Sequence, residues 1–126
     1  MFASLLQVAL GGAVGASLRY LTVIGLSRAI GHTSFPFAII TVNVLGSFLM
    51  GVFVVAAAQR GLTHLSPLVM MGVLGGFTTF SAFSLEAVTL YERGDVGQAA
   101  IYVLASVIFS ILGLVAGLWF ARGVYA

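Results

Sequence analysis

FPFAIITVNVLGSFLMGVFVVAAA, Phe35 to Ala58, runs for 24 residues without one charged side chain. A helix rises about 1.5 Å per residue, so about 20 apolar residues cross a hydrocarbon layer about 30 Å thick. Three more stretches reach that length on either side of it. Leu5 to Leu26 is interrupted only by Arg19, Leu65 to Leu85 ends at Glu86, and Val96 to Ala121 carries no charge. Backbone groups in lipid must be satisfied within a helix or a closed barrel, and the even alternation of a barrel is absent. The expectation is an all-α membrane protein: one transmembrane domain, 1–126, with spans at 4–27, 35–58, 65–91 and 96–121.

Composition supports the same reading. Of 126 residues, 61% are hydrophobic and 6% charged, where soluble domains carry about a quarter. Eight charged side chains cannot build a water-facing surface of this size. The first span lacks a basic leading region and is followed by three more, so it reads as a span, not a cleaved signal. No cysteine is present, which removes disulfides and thiolate metal sites. Five arginines against three acids make no nucleic-acid footprint. No nucleophile–base pair, Walker loop or dinucleotide fingerprint occurs, so an enzyme is not expected. His32 and His64 fall in loops on opposite sides, too isolated to propose a metal site.

The connections, Ser27 to Ser34, Gln59 to His64 and Tyr91 to Asp95, leave no room for an extramembrane domain. Any function must lie between the helices. Four spans put Arg60 and Arg122 on one side and Arg28 and Arg93 on the other. A balanced count gives the positive-inside rule nothing to act on. Insertion both ways, as in an antiparallel dual-topology dimer, and one orientation set by weaker cues both remain open. Gly11 with Gly15, Gly12 with Ala16, and Gly113 with Gly117 have the spacing of close helix packing, without saying which helices meet.

The third span holds the most unusual run, Gly75-Gly76-Phe77-Thr78-Thr79-Phe80-Ser81-Ala82-Phe83-Ser84. Each glycine weakens a helix by about 1 kcal/mol relative to alanine, and the hydroxyls compete for backbone partners. A break near 75–79 is expected, with Thr78 or Thr79 capping a second half-helix. Half-helix ends expose carbonyls and amides that bind ions. Phe80 and Phe83, three apart, share one face of that second half. A ring edge is positive and can meet a small anion.

Other polar residues recur on helical faces: Asn43 and Ser47 on the second span, and Tyr102, Ser106 and Ser110 on the fourth. They form a row of neutral donors with no carboxylate on spans one, two or four, suited to an anion stripped of water. Interhelical hydrogen bonding is the plainer reading of the same residues. Arg19 and Glu86 are the ionisable groups closest to membrane depth, either paired or each reaching the interface.

These residues resemble the Fluc (CrcB) fluoride channels over nearly the whole chain. Gly11 to Ala16 leading to Arg19-Tyr20, Thr41-Val42-Asn43-Val44-Leu45-Gly46 and Gly75 to Glu86 are similar to that family's three motifs. The resemblance implies an antiparallel dual-topology homodimer in the cell membrane, conducting fluoride passively out of the cytoplasm. It further implies that Asn43, Thr79, Phe80, Ser81, Phe83, Tyr102, Ser106 and Ser110 line the fluoride pathway. By the same resemblance, the backbone carbonyls of Gly75 and Thr78 hold a structural sodium ion between the two subunits. Ala82 stands where many members have Thr or Ser. The alternative is a small multidrug exporter, also four spans long, whose proton coupling needs a carboxylate in the first helix; here that helix offers only Arg19.

Overall fold

A computed structural model describes residues 1–31, 33 and 35–125. All regular structure among them is helical. Helix α1 (Phe2–Ile30) and helix α2 (Phe37–Arg60) are continuous. A 3₁₀ turn at Thr63–Leu65 leads into α3, which is π-helical over Pro67–Leu74 and closes with one α-turn, Gly75–Phe77. Helix α4 (Phe80–Glu92) and helix α5 (Val96–Val124) complete the chain. Among the described residues, four segments are long and apolar enough to span a bilayer: α1, α2, Thr63–Glu92 and α5. The chain is a multi-pass membrane protein.

Helix boundaries follow local chemistry. Helix α2 begins at Phe37 and not at Phe35, because a residue before proline disfavours helical geometry and Pro36 takes the cap. It ends at Gly61, left-handed at φ 66°, where Leu62 N–H returns to Ala57 O at 2.9 Å. Gly94 at φ 88° ends α4 in the same way, with Asp95 N–H on Leu90 O at 3.0 Å. His32, discussed above, lies outside the described residues.

The third span leaves helical geometry at Thr78 (φ −83°, ψ 159°) and Thr79 (φ −150°, ψ 120°). The glycine pair is not where it opens: Gly75 has ordinary helical angles, φ −63° and ψ −38°. Gly76 serves packing instead, since a Cβ there would lie 2.8 Å from Gly12 O.

Two seams hold the helices together. In the first, α1 lies on α3 through glycine: a Cβ on Gly11 or Gly15 would strike the backbone of Leu68 or Val73. In the second, α2 lies on α5, and a Cβ on Gly51 or Gly117 would strike Leu114 O or Phe48 O. The Gly11/Gly15 and Gly113/Gly117 steps read from the sequence therefore serve contacts within one chain, while a Cβ on Gly12 of the third step would meet open space. The Arg60 guanidinium stacks 5.1 Å from the Tyr125 ring, bringing the C-terminal end of α2 to the C-terminal end of α5, as the parallel second and fourth spans require. Ile39, Phe83, Leu90, Ala99 and Tyr102 form the buried cluster where α4 meets α2 and α5. Outward faces carry large exposed apolar side chains such as Leu21, Ile101, Ile108 and Trp119, as lipid contact demands.

Candidate functional site: a polar groove beside the helix interruption

The interruption is held by Asn43 of α2. Its Oδ1 accepts from Thr79 N–H at 2.8 Å, and its Nδ2 donates to Thr79 O at 3.0 Å. A continuous helix would have given that Thr79 N–H to Gly75 O. Asn43 takes it, and the Gly75 carbonyl loses its helical donor. Thr79 then caps α4, its Oγ1 accepting from Ala82 N–H at 3.1 Å. Thr78 finishes α3 with both its N–H and its Oγ1 on Leu74 O, each at 3.0 Å. Gly46 of α2 leaves room for the Thr78 methyl group, which a Cβ at that position would strike.

The Thr78 carbonyl points away from these partners and accepts from Arg19 Nη1 of α1 at 3.4 Å. Arg19 thus turns inward instead of snorkelling, and it does not pair with Glu86. Glu86 lines a separate cavity of about 510 Å³ at the end of the bundle, with Arg28, Arg93, Ser27 and Thr33.

Beside the interruption runs a groove of about 350 Å³ walled by Asn43, Thr78, Thr79, Phe80, Phe83, Ser106 and Ser110, with Ser47 and Met50. Three elements far apart in sequence bring these residues together. Phe80 and Phe83 touch, ring centroids 5.3 Å apart, yet face differently: Phe83 is 8% exposed and Phe80 77%. Phe83 stacks in turn on Tyr102 at 5.3 Å, and Phe35 meets Tyr102 edge-on at 5.6 Å. The Phe83–Tyr102–Phe35 row separates the groove from the larger cavity, since Phe83 lines one and Phe35 the other. Ser81 stands apart: it is exposed and reaches only Thr79 Oγ1, at 3.4 Å.

Two groups of hydroxyls contrast. Ser17, Thr22, Thr41, Ser84 and Thr89 each donate to the carbonyl four residues back, which satisfies them in lipid without any ligand. Tyr102 and Ser106 are buried and make no hydrogen bond among the described residues. A buried hydroxyl without a partner costs about 1–3 kcal/mol. These two hydroxyls lie one turn apart on α5, with the Tyr102 ring against Phe83. Among the described residues no cluster of His, Asp or Glu could hold a metal ion. The oxygens at the interruption are neutral carbonyls, a donor set that fits a hard alkali cation and no transition metal.

Phe35, Gly46 and the Arg19–Thr78 contact escape sequence reasoning. Phe35 precedes a proline and follows no helical period, and the other two depend on how α1 and α2 face α3. The serines and aromatics of the groove, by contrast, announce themselves by spacing.

The sequence has relatives of high identity over most of its length. The fluoride-specific ion channel FluC of Roseobacter denitrificans is 68% identical over 123 residues, 97% of this chain and 98% of the relative. The protein of the same name from Jannaschia sp. is 77% identical over 103 residues, 79% of this chain and 98% of its own length. That from Ruegeria sp. is 64% identical over 124 residues, 98% of each. The profile of the CrcB-like protein, Camphor Resistance (CrcB) family matches residues 6–118, and the chain belongs to that family.

Proposed function

We propose that two copies of this chain assemble antiparallel into a fluoride-selective passive channel of the cell membrane, protecting the cytoplasm from fluoride. The unpartnered Tyr102 and Ser106 hydroxyls beside the Phe80–Phe83 rings carry the reading. Hydroxyl donors, ring edges and the second amide hydrogen of Asn43 suit a small, strongly hydrated anion that must exchange its water for protein donors. Ser110 continues the row of donors, and Thr79 and Ser81 stand at its end by the interruption. A narrow path of this kind favours fluoride over the larger chloride.

The second copy is argued from the groove itself. Its polar wall opens sideways, with Phe80 exposed, and hydrocarbon offers no partner to Asn43 or Ser110. The matching face of another copy would close it, and the balanced arginines permit the inverted insertion that an antiparallel pair needs. The Gly75 and Thr78 carbonyls, one freed from its helical donor and one turned out of the helix, would hold a sodium ion between the copies. When bound, that ion supplies a fixed positive charge that ties the pair together and draws the anion.

Fluoride crosses an acidified membrane as neutral HF and ionises inside. The membrane potential, worth about 2.3 kcal/mol per charge per 100 mV, then drives it out through an anion-selective leak. No coupling ion is consumed. The exporter alternative lacks its proton-exchanging carboxylate, as α1 holds Arg19 and no acid.

Purified protein in liposomes, with a potassium gradient clamped by valinomycin, should release fluoride and retain chloride. Trapped fluoride, or chloride leaving as fast, overturns the reading. C-terminal reporter fusions active on both sides of the membrane test the inverted insertion.

A further inference from the structure

Arg19 is the charge that the pathway does not use. It stands far from either end of α1, half-buried, with no carboxylate paired to it among the described residues. An ionisable group inside a span is expected to pair with an opposite charge or with backbone carbonyls, and to serve function. Its partner is the Thr78 carbonyl, at 3.4 Å.

A carbonyl oxygen has two lone pairs, so Thr78 O can accept from Arg19 and still ligate a cation. Two positive charges would then share one oxygen. No acid offsets them: Glu86 lies in the wall of the other cavity, and Glu92 and Asp95 follow at the far end of α4. Coulomb repulsion scales with the charge of the second ion and is strong where water is excluded.

We propose that Arg19 sets the charge selectivity of the cation site, admitting a monovalent ion and rejecting a divalent one. The inference rests on the cation reading given above. Calcium prefers carboxylate-rich cages, and here it meets neutral carbonyls beside a guanidinium. Sodium meets the same neighbour with half the repulsion. Arg19 is thus a positioning residue: it holds the Thr78 carbonyl out of the helix and fixes how much charge that oxygen can accept.

The test is thermal unfolding of the full-length protein in detergent, with sodium or calcium titrated into a large-organic-cation buffer. The wild-type protein should be stabilised by sodium and show no response to calcium. Arg19→Gln should bind sodium at least tenfold more tightly and acquire a calcium response, while Arg19→Lys, which keeps the charge, should behave as wild type. An Arg19→Gln protein with unchanged or weaker sodium dependence overturns the inference alone. Wild-type protein stabilised equally by calcium also overturns it, and needs no variant to fold. Wild-type protein indifferent to sodium removes the cation site itself, and the inference with it, whatever its fluoride flux.

Discussion

The two halves of the third span pack by opposite means. The first half, α3, lies backbone to backbone on α1 at Gly11, Gly15, Gly72 and Gly76, where an added Cβ would strike the opposite main chain. The second half, α4, is held by side chains: Phe83 on Tyr102, with Ile39, Leu90 and Ala99 around them. In lipid no hydrophobic force separates these solutions, and close packing and hydrogen bonds decide. Backbone contact gives α3 a fixed position. Side-chain contact gives α4 a surface on which polar and aromatic groups can be placed. The interruption at Thr78–Thr79 lets one span do both.

Breaking the first half should have the largest effect. Gly15→Leu drives a side chain into the Val73 backbone, which cannot withdraw. Overpacking of this kind costs about 3 kcal/mol or more. The expected outcome is loss of monodisperse protein on size exclusion.

The joint between the halves comes next. Asn43→Ala leaves both the Thr79 N–H and the Thr79 carbonyl without their partner. At about 1–3 kcal/mol per orphaned group, a loss of about 3 kcal/mol is expected in equilibrium unfolding, together with fluoride flux. A flux that survives Asn43→Ala unchanged would separate the joint from the pathway.

The second half sharpens the comparison through its two rings. Phe83→Ala opens a cavity against Tyr102 and should cost about 2 kcal/mol, below the usual range for a buried ring because the vacated space joins the groove that Phe83 lines. Phe80→Ala, at an exposed ring, should leave stability within about 0.5 kcal/mol while still lowering fluoride flux. Equal stability losses from both would contradict the division between a packed ring and an open one.

The smallest effect belongs to the seam's own control. Gly12 neighbours Gly11 but has open space where its Cβ would go. Gly12→Ala should be neutral or stabilising by up to about 1 kcal/mol, through helix propensity alone. Paired with Gly11→Ala, it tests whether the seam depends on position and not on glycine content.

Much of this was legible beforehand, for reasons of period and solvent. Apolar length placed four spans, because a bilayer rejects an unpaired backbone and eight charges cannot cover a soluble surface. Helical spacing put Tyr102, Ser106 and Ser110 on one face. The competition between hydroxyls and backbone marked the run in which the third helix opens. Those are local properties, written in neighbouring residues.

The tertiary structure decided what depends on a second segment. The glycine spacings of α1 and α5 could not name their partners, because any small surface admits any close backbone. The helix opens at the threonines and not at the glycines because Asn43, 36 residues away, takes the Thr79 amide. Arg19 could have reached either the interface or an acid, and the carbonyl it found exists only because the helix is interrupted there. Sequence sets what each segment can do alone, and packing chooses which of its groups find partners and which are left to meet an ion.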